Sequence, residues 1–300
     1  MGTKTQRRAN DNSESGQSTF IMDFFARRGY GCGTVFDAGA NRPDYISNSF
    51  LFLAEGWRGL LYEPTDLATF WEPLASSLNF QLVREFIPLM SDGLHNVLSN
   101  SLIAPDIDVL FLDIDGGEYG LIEGLFARAT VRPKVICVEY NNNFSPEIKY
   151  VPNSIVIGLQ ASARAFFDLF KTNSYVFLGC FWGDIVFADL SFYELAEKYS
   201  VEHEEHRFVR SAIQHHCHMQ QLIFGENDPN ASLTKVDSWI RNIASDGGRE
   251  SAVHLALYAL RTSEQLLRFR AFYGQYRGER FFNDLTSSKE HFERTWSCLL

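Results

Sequence analysis

Thr34-Val35-Phe36-Asp37-Ala38-Gly39-Ala40-Asn41 is the stretch of sequence that decides the fold. It begins as a short apolar run, which is typical of a buried strand, and Gly39 then allows a sharp turn. A strand that breaks into such a turn before a helix is how open α/β sheets build nucleotide sites. The next apolar run ends on Glu63, 26 residues after Asp37. This spacing suits a strand, a crossover helix and a second strand that ends in a ribose-binding carboxylate.

Apolar runs and helical patterns alternate along the chain from this first strand to about residue 190. Further strands are predicted at Phe80–Ile87, Ile107–Asp113 and Val135–Glu139, followed by a hairpin-like pair at Tyr175–Gly179 and Ile185–Ala188. Helices are predicted at Ser18–Arg28, Ser47–Glu55, Asp66–Leu78, Tyr119–Arg128 and Gln160–Lys171. Pro73 sits awkwardly inside one of them, so that helix is expected to begin only near Trp71. The alternation predicts an α/β fold with a doubly wound, mostly parallel Rossmann-like sheet.

Three segments are distinguished by composition. Residues 1–17 are polar and without periodicity, which predicts a disordered arm. Residues 18–194 form the predicted α/β domain. Residues 195–300 carry helical patterns and no strong strand, so we expect a helical C-terminal addition with an apolar stripe at Val253, Leu257, Leu260 and Leu267.

Overall composition limits the possible partners. The chain has 300 residues, of which 27 are basic and 37 acidic, and this balance argues against a nucleic-acid binder. No apolar run is long enough to predict a membrane span, and no secretion signal is recognisable. The five cysteines include no Cys-x-x-Cys pair, which favours free thiols in a reducing cytoplasm.

Five stretches, taken in order and spacing, resemble the FkbM-type family of class I S-adenosylmethionine-dependent methyltransferases. They are Phe36–Asn41, Ser47–Ser49 with Gly56–Pro64, Leu112–Tyr119, Val138–Asn141, and Tyr175–Cys180 with Ile185–Phe187. The resemblance spans roughly residues 20–190. One departure is the first turn, where Asn41-Arg42-Pro43 follows a single glycine instead of a Gly-rich sequence.

The resemblance implies S-adenosylmethionine as cofactor, and the residue types indicate how it is held. Glu63 is predicted to bind the ribose diol, and Asp37 the turn or the ammonium group. The amides of Gly39 and Ala40 are expected to meet the methionine carboxylate or the ribose, with Asn41 in the same turn. Two further acids complete the predicted set, Asp113 for the ammonium group or the substrate and Asp92 for the adenine amine.

Glu139 and Asp113 are the predicted catalytic residues. Glu139 ends a strand that should be central, so partial burial is expected to raise its pKa toward that of a general base. A structural acid bonded to a backbone amide is the alternative. Asp113 and Asp115 also suggest a Mg²⁺ pair, but no third ligand is evident, and we predict no metal.

The predicted activity is methyl transfer to an oxygen of a small-molecule or glycosidic hydroxyl acceptor. N-methylation, or another reaction of S-adenosylmethionine, is an alternative on the same fold. The unusual Asn41-Arg42-Pro43 turn motivates a second alternative, a non-catalytic scaffold that binds a partner through its helical region. A homodimer contact through that region is a further expectation.

Overall fold

The computed structural model describes residues 8–101, 107–142, 149–152, 160–195 and 199–201, together with 204, 205, 207, 208, 211 and 212. The strands are β1 Thr34–Ala38, β2 Arg58–Tyr62, β3 Phe80–Val83, β4 Val109–Leu112, β5 Val135–Glu139, β6 Tyr175–Cys180 and β7 Asp184–Asp189. The helices are α1 Gln17–Ala26, α2 Phe50–Ala54, α3 Gly93–Ser99, α4 Glu118–Arg128, α5 Ala163–Thr172 and α6 Leu190–Glu194. None of these helices is long and apolar enough to cross a membrane.

The strands form a seven-stranded sheet in the order β3-β2-β1-β4-β5-β7-β6. Strands β3, β2, β1, β4 and β5 are parallel to one another, whereas β7 pairs antiparallel with both β5 and β6. The chain adds β2 and β3 on one side of β1 and then β4 and β5 on the other side. The prediction of a doubly wound, mostly parallel, Rossmann-like sheet is therefore confirmed. The hairpin-like pair predicted near the end of the domain is β6 and β7.

An apolar layer covers each face of the sheet, because successive side chains of a strand point to opposite faces. On one face, Phe36 and Leu110 pack with residues of α3, α4 and α5. On the other face, Val35 and Phe111 pack with residues of α1, α2 and α6. The central strand β4 is buried along its whole length, which explains why its sequence is uniformly apolar.

The region between β2 and α4 differs most from the sequence prediction. In place of a helix over Asp66–Leu78, the chain forms two short 3-10 turns, Asp66–Phe70 and Glu72–Leu74. Pro73 has no N–H and restricts the residue before it, which prevents a continuous α-helix. Strand β3 ends at Val83, earlier than predicted, and α3 was not predicted.

Residues 8–17, which belong to the predicted disordered arm, are folded against the domain. Asn12 donates a hydrogen bond to the Pro43 carbonyl (2.7 Å), and Gln17 already lies in α1. Asp11 and Ser13 are buried. Polar composition suggested disorder here, but these polar side chains find hydrogen-bond partners in the domain, and that pairing cannot be seen from local sequence.

The beginning of the C-terminal region packs on the sheet. Glu204 is buried and accepts a hydrogen bond from the Phe177 amide of β6 (2.7 Å). The Phe208 ring stacks on Phe167 of α5, with 4.3 Å between the ring centroids. The predicted stripe from Val253 to Leu267 lies outside the described residues.

Candidate active site

A cleft of about 430 Å³ opens at the edge of the sheet where the parallel strands end. Its walls come from the segments after β1, β2, β3 and β4, from the last residue of β5, and from Glu14 of the N-terminal segment. Small-molecule sites typically occupy roughly 300–1,000 Å³. The position is the one at which open α/β sheets bind ligands.

The turn after β1 brings two strand ends into close contact. Gly39 has a left-handed backbone (φ 86°), and a Cβ added there would lie 1.7 Å from the Asp113 carbonyl oxygen. The amides of Gly39 and Ala40 both donate to the Tyr62 carbonyl (2.9 and 3.1 Å). The prediction that these two amides contact a ligand therefore does not fit this geometry. Gly39 lines the cleft by allowing the backbones to approach.

Glu63 lies in the cleft wall and joins two of its loops. Its Oε2 atom accepts from the Asn41 amide (2.9 Å), and Oε1 accepts from the amide and hydroxyl of Thr65 (2.9 and 2.6 Å). Asn41 is itself left-handed (φ 54°), and its carbonyl accepts from the Trp71 indole (2.8 Å). A carboxylate oxygen has two lone pairs, so Glu63 retains capacity for a ligand hydroxyl.

Asp37 is completely buried at the end of β1 and is not among the residues that line the cleft. Neither carboxyl oxygen has a hydrogen bond of normal geometry with a described residue, although the Ser49 hydroxyl is close enough to lower its pKa. Burial is the largest influence and raises the pKa to about 7, with smaller contributions from the charges of Asp113 and Glu63. Asp37 therefore lies behind the site, where it adds to the local negative charge when ionised.

Asp113 and Glu139 meet in the cleft, as the sequence predicted from their strand ends. Burial, followed by the charge of Asp115, raises the pKa of Asp113 to about 6. Burial and the charges of Asp113 and Glu118 raise the pKa of Glu139 well above its ordinary value, the direction expected of a base. The Oε2 atom of Glu139 is buried and has no partner among the described residues.

Two buried acids near the site were missed by sequence reasoning. The Oε1 atom of Glu118 accepts from the Gly116 amide (2.6 Å) and so shapes the loop after β4, while burial raises its pKa to about 8. Asp184 accepts from Gln17 (2.6 Å), and burial raises its pKa as well. The Gly-Gly-Glu sequence after β4 was a usable signal for Glu118. No sequence signal pointed to Asp184, because its partner Gln17 is distant in sequence.

The other end of the cleft, after β3, is more apolar. Phe86 lines it with 67% of its surface exposed, beside Ile87 and Leu89, and Glu85 is the acid at this end. This segment was predicted as strand, and its role in the cleft was not foreseen. Asp92, the predicted adenine contact, is not part of the cleft lining, and its carboxyl lies 3.7 Å from the Arg128 guanidinium. The structure therefore separates Asp92 from the other predicted site residues.

Asp113 and Asp115, the pair considered for Mg²⁺, both line the cleft. Among the residues that the structure describes, no three His, Cys, Asp or Glu side chains are placed to hold a metal ion.

Comparison with known proteins gives few matches. No protein-family model matches the chain, and no curated protein matches it. Among solved structures, the small RNA methyltransferase HEN1 is similar at a TM-score of 0.36 and 12% identity, over 65% of this chain and 28% of that chain. The O-methyltransferase from Bacillus cereus, in complex with SAH, is similar at a TM-score of 0.39 and 18% identity, over 61% of this chain and 83% of that chain.

Proposed function

We propose that this protein is an S-adenosylmethionine-dependent methyltransferase, as the FkbM-type resemblance implies. The observation that carries the proposal is the charge of the cleft. Its lining includes six acidic side chains, and none of the described lining residues is Lys, Arg or His. S-adenosylmethionine has a positive sulfonium and a positive ammonium group, which such a cleft complements.

The residues of the cleft fit the parts of this cofactor. Glu63 is assigned to the ribose, because its Oε2 atom accepts only one hydrogen bond from the described residues and can accept another from a ribose hydroxyl. Asp113 is assigned to the ammonium group. Phe86 and Ile87 offer an apolar surface to the adenine ring, in place of Asp92. No described lining residue is cationic, so the methionine carboxylate has to find amide or hydroxyl donors.

Glu139 is assigned as the base that receives the proton of the acceptor. When bound, the cofactor supplies a methyl group activated on a positively charged sulfur. Burial and neighbouring acids favour the neutral form of Glu139, and a cation in the cleft favours the ionised form. The carboxylate that results can take the proton of an acceptor hydroxyl as the oxygen gains the methyl group. The proposed acceptor is a small-molecule or sugar hydroxyl.

Calorimetry with S-adenosylhomocysteine tests the cofactor assignment. We expect Glu63→Gln to weaken binding about tenfold or more, because a hydrogen bond to a charged group contributes roughly 1.5–3 kcal/mol. Glu123→Gln, an exposed acid of α4 outside the cleft, is the matched control and should bind like wild type. Absence of binding to wild type, or equal affinity in Glu63→Gln, would reject the assignment.

The non-catalytic scaffold remains a second candidate, favoured by one observation. The first turn uses the amides of both Gly39 and Ala40 internally, on the Tyr62 carbonyl. A scaffold needs no cofactor, so the same titration separates the two candidates. If the cofactor binds, the mass of the methylated product separates O-methylation from N-methylation.

A further inference from the structure

We propose that the acceptor of this methyltransferase carries a positively charged amine, held by Glu14 and Asp115 at the mouth of the cleft. The inference rests on the proposed function and specifies the chemical class of its second substrate. An amino sugar or an amino alcohol is the kind of molecule meant, with the ammonium group close to the hydroxyl that is methylated.

Four of the six acids that line the cleft lie at one end. Asp113 and Asp115 follow β4, and Glu139 ends β5, the neighbouring strand. Glu14 belongs to the same end, because its charge raises the pKa values of both Asp113 and Asp184. The opposite end, after β3, carries the apolar side chains of Phe86 and Ile87 together with a single acid, Glu85.

The protein anchors Glu14 on both sides along the chain. Asn12 bonds to the Pro43 carbonyl (2.7 Å), and the Ser15 hydroxyl accepts from the Trp182 amide (3.0 Å). Gln17 then donates to Asn48 (2.8 Å) and to Asp184 (2.6 Å). These bonds tie the segment to the loop after β1 and to the β6–β7 turn. Glu14 is therefore held at the cleft as part of its wall.

Glu139 supplies an independent indication of a ligand. Its Oε2 atom is buried in the wall of the cleft without a hydrogen-bond partner among the described residues. A buried carboxyl oxygen without a donor is costly. Unlike Asp37, Glu139 lines the cleft, where a bound molecule can supply the donor. An acceptor hydroxyl or ammonium group at this end of the cleft would be that donor.

The charge of the cofactor is too small to match all of these acids. S-adenosylmethionine carries two positive charges and one negative charge, and Asp113 is assigned to its ammonium group. Glu14 and Asp115 then remain at the mouth, and both are exposed enough to meet an incoming molecule. A phosphate or carboxylate acceptor would be repelled there, whereas an acceptor with an ammonium group would be attracted.

Three cofactor analogues test the inference without knowledge of the natural acceptor. In each, nitrogen replaces the sulfur of S-adenosylhomocysteine and bears a two-carbon arm that ends in an amine, a hydroxyl or a carboxylate. The arm reaches from the methyl-transfer position into the acceptor side of the cleft. Their affinities are measured by calorimetry on the full chain, for wild type, for the double variant Glu14→Gln/Asp115→Asn, and for the control Glu123→Gln.

We expect wild type to bind the amine arm roughly tenfold more tightly than the hydroxyl arm, and the carboxylate arm most weakly. The double variant should lose most of this preference while it keeps its affinity for S-adenosylhomocysteine, and Glu123→Gln should retain both. A hydroxyl arm that binds as tightly as the amine arm would overturn the inference, as would an undiminished preference in the double variant. Failure of S-adenosylhomocysteine itself to bind would instead remove the proposed function, and this inference with it.

Discussion

Replacement of Asp37 by Asn should stabilise the protein, and increasingly so as the pH rises. Asp37 is fully buried, and its two carboxyl oxygens have no hydrogen bond of normal geometry with a described residue. Burial raises its pKa from 3.8 to about 7, and the nearby charges of Asp113 and Glu63 add to this. Asn has nearly the same size and no charge, so the variant removes the ionisation and leaves the packing.

The magnitude follows from the pKa difference between the folded and unfolded states. Because the folded-state pKa of Asp37 is the higher one, the folded state holds the proton more tightly and loses stability as the pH rises through this interval. The full effect is about 4 kcal/mol, since one pKa unit corresponds to about 1.4 kcal/mol. Of this, about 2.5 kcal/mol falls between pH 5 and pH 8.

Urea unfolding of wild type and Asp37→Asn at pH 5 and pH 8 measures the effect. The stability of the variant relative to wild type should increase by about 2.5 kcal/mol between the two pH values. Asp66→Asn, at an exposed acid in a 3-10 turn, is the matched control and should show no such increase. If Asp37→Asn differs from wild type equally at both pH values, Asp37 does not titrate as its burial implies.

Three other predictions concern the turn, the base and metal dependence. Gly39→Ala should lower the free energy of unfolding by about 3 kcal/mol or more, because the alanine would have a left-handed backbone and its Cβ would clash with the backbone of Asp113. Gly56→Ala is the control, since Gly56 has the same φ of 86° but no atom lies within 4 Å of an added Cβ; equal losses in the two variants would contradict the predicted clash. Glu139→Gln should lower the single-turnover rate by roughly 10²-fold with little change in cofactor affinity. An unchanged rate would show that Glu139 has a structural role and is not the base. The rate of methyl transfer should be unchanged by EDTA. If EDTA abolishes this activity and added Mg²⁺ restores it, Asp113 and Asp115 bind a metal ion.

The sequence by itself determined the strands of the sheet and where most of them end, with β3 as the exception. Uniformly apolar runs such as β4 can be stable only when both faces are covered, and this requirement holds whatever the rest of the chain does. Since the carboxyl ends of parallel strands share one edge, the sequence was enough to predict that Glu63, Asp113 and Glu139 lie near one another. Short-range rules also placed Gly39 in a turn.

Only the tertiary structure decided how those residues are bonded and which others join them. The Gly39 and Ala40 amides point to the Tyr62 carbonyl, Asp92 pairs with Arg128 away from the cleft, and Glu14 arrives from a segment that composition alone marked as disordered. Each outcome depends on a partner that is distant in sequence, and no local pattern encodes such a partner. The raised pKa values of Asp37 and Glu139 also depend on the tertiary structure. They result from desolvation, which occurs only once both faces and the edge of the sheet are packed.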